Sequence, residues 1–230
     1  PGYGTNNTIW ATSTFDIYKS TDQGETWTSA YNTGANENFN DFVKTTTAYF
    51  ASGLFGSLFN SADGITWNQV YTHPSGSDRI DFAYSPSTPD ILYILTKANP
   101  AFAKYTISTN TMGTFSTVNN SVPADGNGNY NSQGSYNQVL AVNPLNGNDL
   151  MIGEFSGKRS VNGGTSWTCH LNGYYTTSGS SNWGGGYVHS DHHYIEYIGA
   201  ANDSLLIGND GGVYIGPVNN APFAYKECVD

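Results

Sequence analysis

The chain has 230 residues, enough for one or two ordinary domains, a length that all-β folds often use as one. Eighteen acids against six Lys and two Arg leave a formal net charge of −10, so no basic patch can neutralise a run of phosphates. Nucleic acid and anionic membrane surfaces are therefore not expected partners, and no apolar run of about 18 residues is present to form a membrane-spanning helix.

Charged residues are only 11% of the chain and hydrophobic ones 37%, yet 17 Tyr, 11 Phe and 5 Trp bring the aromatics to 14%. Core area must come largely from rings. Surface polarity must come from Ser, Thr, Asn and Gly, which favour short strands and tight turns over amphipathic helices. The first residue is Pro1, so the chain is expected to begin inside a longer or processed polypeptide, the rest of which would be one of its partners. Cys169 and Cys228 are too few for a disulfide framework or a thiolate zinc site. One bridge and two free thiols are both open.

In chain order, Thr8-Ile9-Trp10-Ala11 reads as the second strand of a first repeat. The segment Ser20-Thr21-Asp22-Gln23-Gly24-Glu25-Thr26-Trp27 recurs as Ser61-Ala62-Asp63-Gly64-Ile65-Thr66-Trp67. It returns as Ser160-Val161-Asn162-Gly163-Gly164-Thr165-Ser166-Trp167, with Asn in place of Asp. The step from Trp27 to Trp67 is 40 residues, and the 100 from Trp67 to Trp167 leave room for two longer repeats, the intermediate one without its motif. Short side chains that bond their own backbone, with a permissive Gly, predict a turn with the Trp packed beneath it.

A second element alternates with the first. Ile80-Asp81-Phe82-Ala83-Tyr84-Ser85-Pro86 and Asp90-Ile91-Leu92-Tyr93-Ile94-Leu95 are echoed by Val139-Leu140-Ala141-Val142-Asn143-Pro144 and Asp149-Leu150-Met151-Ile152-Gly153. They are echoed again by His193-Tyr194-Ile195-Glu196-Tyr197-Ile198 and Ser204-Leu205-Leu206-Ile207-Gly208. Each reads as strand, turn, strand, apolar on both faces, as in a sheet sandwiched between two others. Four strands per unit is a propeller blade. The expected fold is therefore an all-β propeller of four-stranded antiparallel blades, a single domain over residues 1–230. About five blades are covered, the first partial and the last ending at its third strand near Val213-Tyr214-Ile215. Residues 119–136 and 173–187 read as long loops, a common place for function.

The Ser-x-Asp-x-Gly-x-Thr-Trp copies resemble the Asp boxes, or BNR repeats, of sialidases, of two-propeller xyloglucanase-type glycoside hydrolases and of sortilin-type receptors. Leu140-Ala141-Val142-Asn143-Pro144, His189-Ser190-Asp191-His192-His193 and Gly208-Asn209-Asp210-Gly211-Gly212-Val213-Tyr214 resemble large exported propeller proteins of Bacteroidetes, many of which carry a type IX secretion signal. The resemblance implies an extracellular or cell-surface protein. It also implies that the boxes (Ser20, Asp22, Gly24, Trp27; Ser61, Asp63, Gly64, Trp67; Ser160, Asn162, Gly164, Trp167) are structural and lie away from the reactive face.

Three motifs remain for function. On a strand, His189, Asp191 and His193 would share one face and could hold a divalent cation. A hydrogen-bonded histidine cluster is the simpler reading, since no further ligand is identifiable, and no cofactor is expected. A phosphoesterase reading of Asp191-His192-His193 fails for want of an α/β setting. Asp210-Gly211-Gly212-Val213-Tyr214 partly matches a xyloglucanase-type segment that carries a catalytic acid, which makes Asp210 a candidate acid or base. Glycoside hydrolysis needs a second carboxyl, and none is identifiable. A sialidase site needs three arginines; only Arg79 and Arg159 exist. Finally Tyr174, Tyr175, Trp183, Tyr187 and Tyr194 surround a glycine-rich loop, and aromatic faces beside amides and hydroxyls suit sugar or protein contacts. The expected function is a secreted binding module for glycans or extracellular proteins. A glycoside hydrolase using Asp210 and a structural part of an exported adhesin or filament are the alternatives.

Overall fold

The computed structural model describes residues 8–74, 79–97, 101–118, 134–171, 188–219 and 224–226. Tyr174, Tyr175, Trp183, Tyr187, Cys228 and the side chain of Cys169 lie outside what is described. Two compact units divide the chain: residues 1–84, 89–96 and 104–114 form the first, and 85–88, 97–103 and 115–230 the second.

All the sheets are antiparallel and built from consecutive strands, because each link is short enough for a hairpin. The first holds β1 (Ile9–Thr12), β2 (Asp16–Ser20) and β3 (Thr28–Asn32). The second holds β4 (Phe39–Lys44), β5 (Tyr49–Gly53), β6 (Ser57–Ser61) and β7 (Asn68–Thr72). The third runs β8 (Ile80–Tyr84), β9 (Ile91–Thr96) and β10 (Ala101–Thr106), whose far edge pairs with two short pieces, β11 (Thr111–Met112) and β12 (Ser116–Thr117). A single helical turn, α1 (Gly134–Asn137), precedes the fourth sheet of β13 (Val139–Asn143), β14 (Asn146–Gly153), β15 (Gly157–Ser160) and β16 (Thr168–Leu171). The fifth holds β17 (His192–Ile198), β18 (Ser204–Asn209), β19 (Gly212–Pro217) and β20 (Ala224–Lys226).

The first sheet has three strands, as its sequence implies. The fifth is complete rather than ending at its third strand, since β20 pairs with β19 through Val213, Tyr214 and Ile215. A run of three residues is too short to announce a strand.

The Ser-x-Asp segments form one turn three times over. Ser20 Oγ accepts from Gly24 N at 2.8 Å and donates to Asp22 Oδ1 at 2.7 Å, and Asp22 Oδ1 accepts from Thr26 N at 2.9 Å. Ser61 repeats this with Gly64 N and Asp63, and Ser160 with Gly164 N and Asn162, each serine accepting the glycine N–H at 2.8 Å. Gly24, Gly64 and Gly164 all sit at positive φ (97°, 71° and 84°), where a side chain is strained. These hydrogen bonds, led by Thr26 at Asp22 and by the Thr66 N–H at Asp63, hold both carboxyls down at about 2.

The tryptophan ending each turn occupies an equivalent place but not an equivalent environment. Trp67 is 7% exposed and stacks on Tyr31 of the first sheet, and Trp167 is 5% exposed, edge-on to Phe102 of β10. Trp27 stays 42% exposed, its indole N–H donating to Gly24 O at 3.0 Å. In the first unit Trp10, Ile17, Phe39, Ala51, Phe59 and Trp67 form a continuous core between sheets. In the second, Met151, Leu171, Ile195, Tyr197, Leu205 and Ile207 belong to the same kind of cluster. Burial is near-continuous along β9 and β14, whose side chains are apolar on both faces.

Candidate functional site

The second unit gathers polar side chains from α1, the residues before β17 and the β18–β19 turn. That turn is two residues long, Asp210 and Gly211, closing on the pair Asn209–Gly212. Asn209 fixes it from both sides: its Oδ1 accepts from Gly211 N at 3.0 Å and its Nδ2 donates to His189 O at 2.7 Å. A Cβ on Gly211 would lie 2.4 Å from the His189 side chain, so only glycine lets the segment pass.

Held this way, Asp210 points its carboxylate at two partners. Its Oδ1 lies 2.7 Å from His193 Nε2, while Tyr136 OH donates to Oδ2 at 3.0 Å and to Oδ1 at 3.2 Å. The Tyr136 ring meets His193 edge-on, centroids 4.9 Å apart. Tyr136 is 56% exposed, and the His193 and Asp210 side chains are 38% and 37% exposed, so all three face solvent. The His193 hydrogen bond, helped by Tyr136, holds the Asp210 carboxyl below its usual range, and the same Asp210 contact raises the Tyr136 phenol.

His189, Asp191 and His193 do not share a strand face. β17 begins only at His192, and Asp191 has φ +62°, which breaks the alternation between it and His193. Each goes to a different partner. His189 Nδ1 lies 3.1 Å from Ser190 O, and Asp191 accepts from Asn137 Nδ2 at 2.6 Å and from Ser190 Oγ at 3.2 Å. His193 takes Asp210. Among the described residues no three His, Cys, Asp or Glu side chains group so as to hold a metal ion.

His192, between them, turns inward and is fully buried; both its backbone N–H and its Nδ1 contact Glu154 O, at 2.9 and 2.7 Å. Burial drives its imidazole down to about 4. Below it Lys158, fully buried, lies 3.6 Å from Glu154 Oε2, whose carboxyl is raised by its own burial.

Sequence reasoning identified His193 and Asp210 but missed Tyr136 and Asn137. Tyr136 meets Asp210 across 74 residues, and nothing near it in the chain marks it apart from the other tyrosines. Tyr194, the remaining aromatic of that group, is half exposed and donates to Glu196 Oε2 at 2.7 Å.

No family model matches the sequence, and no curated protein matches it. Solved structures do. A GH74 enzyme of Niastella koreensis superposes with a TM-score of 0.66 at 18% identity, over 95% of this chain and 36% of its own. Virginiamycin B lyase from Staphylococcus aureus, in a catalytically inactive form with quinupristin, gives 0.65 at 13% identity, over 96% and 66%. YCF48 bound to D1 peptide gives 0.58 at 16% identity, over 91% and 61%. The chain thus spans about a third of the length of the first and under two thirds of the others. These neighbours are β-propellers, and the chain has a β-propeller fold of four-stranded antiparallel blades. Identities this low speak for the fold alone.

Proposed function

We propose that this chain belongs to an exported or cell-surface β-propeller that binds glycans or extracellular proteins through the face carrying Tyr136, His193 and Asp210. The observation that carries the reading is the solvent-facing trio itself. An edge-on aromatic pair is locked to a carboxylate by two hydrogen bonds, so an open ring, an imidazole and a carboxylate oxygen are presented in one pre-organised arrangement. Sugars and peptides both bind such combinations, and the structural neighbours include a propeller with a bound peptide and an enzyme named as a xyloglucanase.

A hydrolase reading is favoured by the GH74 likeness, with Asp210 as the reacting carboxyl. The geometry weighs against it as proton donor, because its two hydrogen bonds keep it ionised at neutral pH. Among the described residues of the same unit the carboxyl with a raised proton affinity is Glu154, buried and paired with Lys158.

The test is a panel of neutral and branched plant-type polysaccharides assayed for binding and for released reducing ends, with wild type and Asp210→Asn. Binding that weakens about tenfold in the variant, without sugar release by either protein, is expected. Sugar release by wild type that Asp210→Asn abolishes would replace the binding module with the hydrolase. Binding unchanged by the substitution would remove the trio from the site.

A further inference from the structure

The third sheet lacks the Ser-x-Asp turn, and what stands in its place borders a cavity of about 580 Å³ at the end of the second and third sheets where that turn would lie. The β10–β11 turn is closed from outside: Asp90, in the β8–β9 loop, accepts from Ser108 N and Ser108 Oγ, both at 2.7 Å, one on each carboxylate oxygen. Asp90 O accepts from Ile107 N at 2.9 Å as well. A carboxylate from a neighbouring loop thus does for this turn what Asp22 and Asp63 do inside theirs. The turn no longer needs its own acid, and Asn110 takes the left-handed position at φ +51°.

Asn110 Oδ1 accepts from Asn60 Nδ2 at 3.0 Å and from Tyr105 OH at 2.9 Å. These bonds fix the orientation of both amides. They leave the Asn110 NH₂, the Asn60 Oδ1 and the whole Asn68 amide without a protein partner among the described residues, and all three residues line the cavity. Ile107 and Ala62 supply apolar surface between them. No Lys, Arg or His lines the cavity, and its one carboxylate is spent on Ser108.

We propose that this cavity is a second ligand site, which takes one or two rings of a neutral saccharide. Its volume lies within the ~300–1,000 Å³ of ordinary ligand pockets. Amide donors and acceptors on adjoining walls match vicinal hydroxyls, each of which both gives and takes a hydrogen bond. An anionic ligand would find no counter-charge. The degenerate repeat is then the one that gave up its turn motif to build a site. This inference stands apart from the Tyr136–His193–Asp210 reading, since the two use different units of the chain.

The experiment is isothermal titration calorimetry of the whole chain with cellotriose, mannotriose and maltotriose, and with sialyllactose as an anionic control. At least one neutral trisaccharide should bind wild type. Asn110→Gly deletes the amide at a position where glycine keeps the backbone, and Asn60→Ala removes its partner; each should weaken binding about tenfold, while Asn202→Gly, at a like φ of +48° in the other unit, leaves it unchanged. If Asn110→Gly fails to fold, Asn60→Ala decides. No binding of any neutral trisaccharide at millimolar concentration would overturn the proposal. So would binding that survives the Asn110 and Asn60 substitutions, or that weakens equally with Asn202→Gly.

Discussion

Substituting alanine for the glycine of each Ser-x-Asp(Asn) turn separates what the turn itself costs from what the stacking of sheets costs. Gly24 and Gly164 have similar backbones, φ +97° and +84°, so a side chain at either should cost about 1–2 kcal/mol in conformational strain. Their surroundings differ completely. A Cβ on Gly24 meets only Trp27, at 3.9 Å, an ordinary contact. A Cβ on Gly164 would lie 2.1, 2.5 and 2.8 Å from three atoms of the Phe102 ring, which is pinned against Trp167 with centroids 5.4 Å apart. Overpacking of a filled site adds about 1–3 kcal/mol, so Gly164→Ala should cost about 2–5 kcal/mol in all and Gly24→Ala about 1–2. Urea unfolding of both variants measures the difference. Phe102→Leu, introduced alone and with Gly164→Ala, measures the coupling, expected to be about 1–2 kcal/mol in favour of the double variant. Equal losses at the two glycines, or additive effects of Gly164→Ala and Phe102→Leu, would refute the idea that an aromatic from the adjacent sheet fills the Gly164 socket.

His192 should make the protein acid-sensitive well above the carboxylate range. Its folded value is down at about 4 while the unfolded chain takes up the proton near 6.5, so between those pH values the unfolded state binds more protons and stability falls as pH falls. The loss is on the order of 3 kcal/mol by pH 4, and His192→Gln should flatten the slope of urea midpoints between pH 6.5 and 4.5; an unchanged slope would show that His192 is not the group responsible. The buried Lys158–Glu154 pair predicts that Lys158→Met, by stranding Glu154, costs about 3–5 kcal/mol, whereas Lys158→Met with Glu154→Gln costs clearly less. Thermal unfolding of the three proteins at pH 7 distinguishes this from two independent packing losses.

Repetition made most of the architecture readable in advance. A turn built from Ser, Asp or Asn and a left-handed Gly is a local object, closed by bonds that span two to four residues, so Ser20-to-Trp27, Ser61-to-Trp67 and Ser160-to-Trp167 carry their own geometry. Strands apolar on both faces announce stacked sheets for an equally local reason, since period 2 leaves no polar side to give to water. Residues 80–95 and 139–153 carry that pattern in their sequence. Tertiary structure alone decided what depends on distant partners. It made β20 a strand by pairing it with β19, buried Trp67 and Trp167 but not Trp27, and split His189, Asp191 and His193 among three partners through one positive φ at Asp191. It also brought Tyr136 to Asp210 and Asn60 to Asn110, contacts between residues 74 and 50 apart. Short-range hydrogen bonding is written in neighbouring letters. Packing between sheets is written only in how the sheets come together, and both proposed sites lie in that second kind of information.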